Sequence, residues 1–218
     1  MAPSDSLATS EEIHAFLVAQ VNLMLRRVGM YGGVPALWPA FEHLSFVEHG
    51  AAAWRAQWKE WLDRARRSTG VHGVFRDMSP GRRVQDHDEA SVYAEFARRR
   101  GWLVPDRVLA ADAYVSLREG VRAWAGEDRT WPDVVEEFGE PSVLLGGTSP
   151  YFGKALGYFG EDLAEPVVWF HLWNDAAGAE PGGSKREQPL LLAVRFGDDG
   201  PFDDTFTFTP EGRRHALD

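Results

Sequence analysis

An α+β fold is predicted for this chain: a helical lobe, residues 1–125, packed with a C-terminal unit, 126–218, of one helix and an antiparallel sheet of about five strands. Three observations lead there. Apolar residues recur at helical spacing as far as Trp124, and after Pro141 the period changes to two. Between these regimes, Thr130 to Trp173 reads as one helix followed at once by three strand-like runs. The aromatic faces of the lobe and the sheet each need a cover, so the two parts are expected to form one cooperative unit.

In the lobe, Thr9-Ser10-Glu11-Glu12 offers a capping box for a first helix carrying Ile13, Phe16, Leu17, Val21, Met24 and Leu25, ended by the Gly29-Met30-Tyr31-Gly32-Gly33 run. Those glycines would let backbone approach a phosphate. They lack the lysine and Ser/Thr of a phosphate-binding loop, and a connecting turn is the simpler reading. Pro35 to Val47 reads as a second helix with Leu37, Phe41 and Leu44 inward, and Ala51 to Arg67 as a third with Trp54, Trp58, Trp61 and Leu62 on one face. That stripe reads as core. Ser68 to Asp86 reads as a loop or a lone strand. Asp86-His87-Asp88 resembles a metal or acid–base cluster, although either aspartate also suits an N-cap for the next helix, Glu89 to Arg100. That helix ends in Arg98-Arg99-Arg100-Gly101, cations at its negative end and a stop glycine after it. Pro105 to Trp124 is the last helix of the lobe.

Thr130 then suits an N-cap, Pro132 the first turn, Asp133 the positive helix end and Gly139 the stop. Beyond it, Ser142–Leu145, Lys154–Phe159, Val167–Trp173, Leu190–Phe196 and Thr205–Thr209 are candidate strands. Turn-sized gaps favour an antiparallel meander. Gly146-Gly147-Thr148-Ser149-Pro150 reads as a strand-to-strand loop, with an oxyanion or phosphate nest as the functional alternative.

The helix, the turn Gly139-Glu140-Pro141 and the aromatic strands after it resemble a unit of the SmpA-type outer-membrane lipoproteins and of the β-lactamase inhibitor protein family. Thr130, Val134, Val135, Phe138, Gly139, Glu140 and Pro141 carry the likeness, with Leu156–Tyr158 and Val167–Trp173 as its strands. It covers roughly the last 90 residues, without the inhibitor's disulfide cysteines or a lipoprotein cysteine. The resemblance implies a helix–turn–sheet unit whose aromatic face binds proteins.

Composition excludes several chemistries. The chain has no cysteine, hence no disulfide, no thiolate nucleophile and no cysteine-held zinc, which fits a cytoplasmic location. Its N-terminal stretch is acidic and polar where a signal peptide would be basic and apolar, and no apolar run is long enough for a membrane span. A formal charge of −10 opposes nucleic-acid binding. The charge is uneven, +4 over residues 51–101 and −7 over 139–218. No Gly-x-Ser-x-Gly elbow, Ser-x-x-Lys or His-x-x-x-His occurs, so no catalytic residue, metal or cofactor is assigned.

A protein-binding module follows as the leading expectation, an inhibitor or immunity-type protein whose acidic sheet lobe occludes a basic toxin or enzyme. In Val167–Trp173, Val168, Phe170 and Leu172 form an apolar face for the helices. Trp169, His171 and Trp173 point the other way, to a partner, and Asp198, Asp199, Asp203 and Asp204 would steer it in. The alternatives are a sheet covered on both sides, with the indoles in core, and a small-molecule-binding protein or enzyme with a pocket between the lobes, using His171 and loop carboxylates.

Overall fold

In the computed structural model, which describes residues 7–174, 186–197 and 200–216, most elements start and stop where their short-range signals place them. Helix α1 (Ser10–Arg26) has its capping box: Thr9 Oγ1 accepts from the Glu12 N–H at 3.2 Å, and the Glu12 carboxylate accepts from the Thr9 N–H at 2.7 Å. A 3-10 turn, Val28–Tyr31, leads into α2 (Val34–Val47) through Gly32 and Gly33 at φ of 95° and 74°. In α3 (Ala51–Ala65) the indoles of Trp54 and Trp61 are buried and stack with Trp38, Trp58, Phe41, Tyr93 and Phe96, so the stripe is core.

Two elements differ from expectation. Residues Val71–Met78, read as loop or strand, form helix α4: Val71, Val74, Phe75 and Met78 are spaced three, four and seven apart and are all buried. Residues 105–110 are not helical. They run beside the sheet, where the Asp106 and Leu109 N–H groups donate to the carbonyls of Ser142 (2.8 Å) and Phe159 (3.0 Å), and helix α6 starts only at Ala111 and ends at Trp124.

Between them lies α5 (Asp86–Arg99), the central helix, buried on nearly every side. Its N-cap is Gln85, with no side-chain bond, so neither Asp86 nor Asp88 caps it; both lie in its first turn. The basic triplet at its end divides in two. Arg99 and Arg100 are exposed at the helix terminus, whereas Arg98 is buried and donates to the carbonyls of Gly160 (3.0 Å), Asp162 (2.5 Å), Leu163 (3.2 Å) and Glu165 (2.8 Å). Arg98 therefore pins a loop of the sheet to the helical layer, a role the helix dipole does not require.

Helix α7 (Trp131–Phe138) begins with the Asp133 carboxylate accepting from the N–H (2.7 Å) and hydroxyl (2.8 Å) of Thr130, and ends at Gly139, φ 72°. The sheet follows: β1 (Val143–Gly146), β2 (Lys154–Tyr158), β3 (Val168–Trp173), β4 (Leu190–Arg195) and β5 (Phe206–Phe208), antiparallel throughout and in spatial order 1-2-3-4-5. Helix α8 (Pro210–Ala216) closes the described chain against β4.

Both faces of the sheet are covered. Val143, Leu145, Ala155, Trp169 and Ala193 join one core with α1 to α5. Leu156, Tyr158, Val168, Phe170, Leu172, Leu191 and Val194 join a second with Leu109, α6 and α7. Alternation along β3 produces this division, and a bulge opposite His171/Leu172 preserves it on β4. His171 pairs with Ala193 and Leu172 with Leu191, so Leu192 is the extra residue and its neighbours Leu191 and Ala193 face opposite layers. The helices to Trp124 thus do not form one lobe, because α6 lies on the far side of the sheet from α1 to α5.

Candidate functional site

The expected partner-binding face is not free. Trp169 and His171 are buried under α5, and Trp173, at the strand end, is half-buried with its ring 5.3 Å from that of His215. Of the four aspartates, Asp198 and Asp199 lie outside the described residues, Asp203 pairs with Arg67 at 2.7 Å, and Asp204 is exposed. These seven residues do not converge. The apolar set Val168, Phe170 and Leu172 does lie on helices, those of α6 and α7, and a second helical layer covers the opposite face.

That second layer is polar where it meets the sheet. Asp88, Ser91 and Glu95 recur three and seven residues apart along α5 and present one stripe to β3 and β4. There His171 Nδ1 donates to Asp88 Oδ1 at 2.7 Å, and Arg195 Nη2 reaches Ser91 Oγ at 3.0 Å and Glu95 Oε1 at 2.7 Å. Burial lowers the His171 pKa well below 6.5, with Arg195 adding to the effect. Burial also pushes the Asp88 carboxyl up to about 6, against the pull of His87 and Arg195. At neutral pH the pair is therefore an ionised Asp88 accepting from a neutral His171. The proton sits on Nδ1, and the bare Nε2 lies buried, without a partner among the described residues, beside the rings of Phe75 and Phe206.

These titrations couple to stability. The folded pKa values of His87 and His171 lie below 6.5, so each contributes stability above that pH which is lost as pH falls. Asp88, raised from 3.8 to about 6, acts in the opposite sense: its contribution is present at low pH and lost as pH rises through about 6. As pH falls below 6.5 the unfolded chain takes up protons at the two histidines more readily than the folded chain, so stability falls, and proton uptake by folded Asp88 offsets part of that loss; Asp88→Asn, which lacks the offset, should lose stability more steeply with falling pH. Urea unfolding of both proteins at about pH 7, 6 and 5 measures the slopes; parallel slopes would contradict the assignment.

The first turn of α5 also opens onto a cavity of about 390 Å³. Its walls are the end of α1 and the 3-10 turn (Arg27 to Met30), Gln85, Asp86 and His87, the loop between β1 and β2 (Gly146, Gly147, Phe152, Gly153) and Asn174 just beyond β3. Three stretches that stood out in the sequence, Gly29–Gly33, Asp86–Asp88 and Gly146–Pro150, therefore meet around one space. Two of the glycines answer to a local need. A Cβ on Gly153 would fall 3.0 Å from the His87 ring and 2.8 Å from the Leu172 carbonyl, and one on Gly33 would sit 3.4 Å from the Asp86 carboxylate.

Two wall residues carry buried polar side chains. Asn174 is 5% exposed; its Nδ2 donates to the carbonyls of Pro150 (3.0 Å) and Arg186 (3.1 Å), which fixes the amide and leaves Oδ1 a buried acceptor without a donor among the described residues. His87 is 7% exposed; its Nε2 lies 3.7 Å from Asp88 Oδ1, and the Leu172 carbonyl is an acceptor beside the ring. Burial lowers the pKa of His87, partly offset by Asp88, so the ring facing the cavity is neutral. Arg27 donates to the Gly146 carbonyl. Beside it, Lys154 donates to the Ser149 carbonyl at 2.9 Å and sits 3.4 Å over the Trp131 ring, its pKa brought down to about 8 by burial and by Arg27.

The sequence singles out Asp86-His87-Asp88 but offers a metal site, an acid–base cluster or a cap for it. Among the described residues no group of three or more His, Asp or Glu is placed to hold a metal ion, and the three side chains part company, Asp88 to the sheet, His87 and Asp86 to the cavity. Arg27 and Asn174 had no signal at all, since each matters only through what lies opposite. No helix is long and apolar enough to cross a membrane among the described residues. No known protein family, no curated protein and no solved structure matches the chain, and the likeness of residues 130–141 to the inhibitor and lipoprotein families rests on local sequence alone.

Proposed function

We propose that this protein binds a small polar molecule in the cavity between α5 and the sheet. The observation that carries the reading is Asn174 Oδ1, a buried acceptor on its wall with no hydrogen-bond partner among the described residues. An unsatisfied buried polar group costs about 1–3 kcal/mol, and a ligand that pairs with it recovers that cost on binding. The volume falls within the range of small-molecule sites. The 510 Å³ hollow bordered by Lys59, Asp63 and Arg66 is lined mostly by exposed side chains already in contact with water.

Thermal-shift screening of the whole protein against small polar metabolites tests the reading. A bound compound should raise the melting temperature, and Asn174→Ala and His87→Ala should each weaken it at least about 10-fold, the equivalent of one hydrogen bond to a buried group. No stabilising compound, or binding indifferent to both substitutions, would overturn it.

A second reading, the protein-binding module of inhibitor or immunity type, is supported by another surface. Ile13, Phe16 and Leu23 lie on one face of α1 and are exposed, Phe16 by 60%. An acidic chain with such a stripe suits a partner that is basic around an apolar centre. In this reading the contact is made by α1, and Trp169 and His171 have no direct part.

A further inference from the structure

The cavity carries charges that no neighbour neutralises. Arg27 and Asp86 both line it, and among the described residues neither forms an ion pair, with the other or with any third group. Arg27 spends one N–H on the Gly146 carbonyl and keeps its remaining donors. The Asp86 carboxylate is exposed, held against Gly29 and Gly33. Asn174 Oδ1, by the fixed orientation of its amide, can only accept, and the neutral ring of His87 adds no charge.

From this arrangement, and resting on the small-molecule reading above, we propose that the ligand is a zwitterion of amino-acid size. Its carboxylate meets Arg27, and its ammonium meets Asp86 and Asn174 Oδ1. The placement follows from the local field. Arg27 lies close enough to Lys154 to depress its ionisation, so positive charge is concentrated on that side of the cavity, and an anionic group is favoured there. The Asp86 carboxylate and the Asn174 carbonyl oxygen both call for a donor, and a cationic donor satisfies both. A bare anion would leave Asp86 and Asn174 unanswered, and a bare cation would leave Arg27. Met30 and Phe152, both exposed at the mouth, leave room for an apolar side chain to project outward. About 390 Å³ accommodates such a molecule whole.

Calorimetric titration of the full chain with the common α-amino acids, their N-acetyl and carboxamide derivatives, and inorganic phosphate tests this. At least one free amino acid should bind, and capping either end should weaken it about 10-fold or more, one charge-assisted contact each. Arg27→Gln should weaken the free amino acid about 10-fold while leaving the carboxamide's weak binding nearly unchanged; Asp86→Asn should do the same with respect to the N-acetyl form. Derivatives that bind as tightly as the parent would overturn the proposal, as would phosphate binding with no response to amino acids. If no amino acid binds but another polar compound depends on Asn174 and His87, the zwitterion is wrong and the cavity reading stands. If nothing binds, both are wrong.

Discussion

Replacing Trp169 by alanine is expected to remove about 3–5 kcal/mol of stability, enough to unfold a domain of ordinary marginal stability. The side chain is fully buried, 0% exposed, in the layer between the sheet and α5. Its indole lies over Gly157, its cross-strand partner: a Cβ there would fall 2.8 Å from the ring and 2.9 Å from Val143 Cγ1. The position is thus filled to contact, and truncation leaves a cavity that helices packed on both faces of the sheet cannot collapse to fill. Trp173→Ala, at the half-buried strand end, should cost less than half as much. Urea midpoints of the two variants decide the matter. A Trp169→Ala protein with an unchanged midpoint would restore the open-face reading, because only a solvent-facing indole can be removed so cheaply.

Arg195→Ala should cost a comparable amount, about 3–5 kcal/mol, through charge instead of volume. Arg195 is buried and its guanidinium pairs with Glu95 at 2.7 Å, with Ser91 Oγ at 3.0 Å. Without it the Glu95 carboxylate keeps its burial and loses its counter-charge, and Asp88 loses a positive charge that favours its ionised form. Converting the pair together, Glu95→Leu with Arg195→Met, should be more stable than either single substitution, since no stranded charge remains. Denaturation of the four proteins forms a double-mutant cycle. Single effects that simply add would mean that the two side chains are not coupled, and the ion pair would then be irrelevant to the fold.

The contrast between these residues and their sequence signals shows where reading along the chain stops. The alternation of Val168, Phe170 and Leu172 with Trp169, His171 and Trp173 correctly divides β3 into two faces. It does not reveal that both faces are covered, because alternation records which residues share a side and nothing about what arrives there. Helix α4 was legible in principle from Val71, Val74, Phe75 and Met78, but Gly70 and Gly73 and the turn-forming residues around them argued the other way. Residues 105–110 show the converse: Pro105 suits a first helical turn, yet the Ser142 and Phe159 carbonyls offered their N–H groups partners outside a helix.

By itself the sequence determined what is local. The capping boxes at Thr9 and Thr130, the stop at Gly139, the helical stripe of tryptophans and the order of five antiparallel strands each depend on residues within a few positions of one another. Tertiary structure decided what is distant. His171 meets Asp88 across 83 residues, Arg27 meets Gly146 across 119, and Asn174 is left with an unanswered oxygen only because two carbonyls from separate loops claim its N–H groups. Such contacts have no period and no spacing. They arise when burying apolar faces brings unrelated stretches together, and the polar groups carried along must then pair with whatever they meet or remain for a ligand.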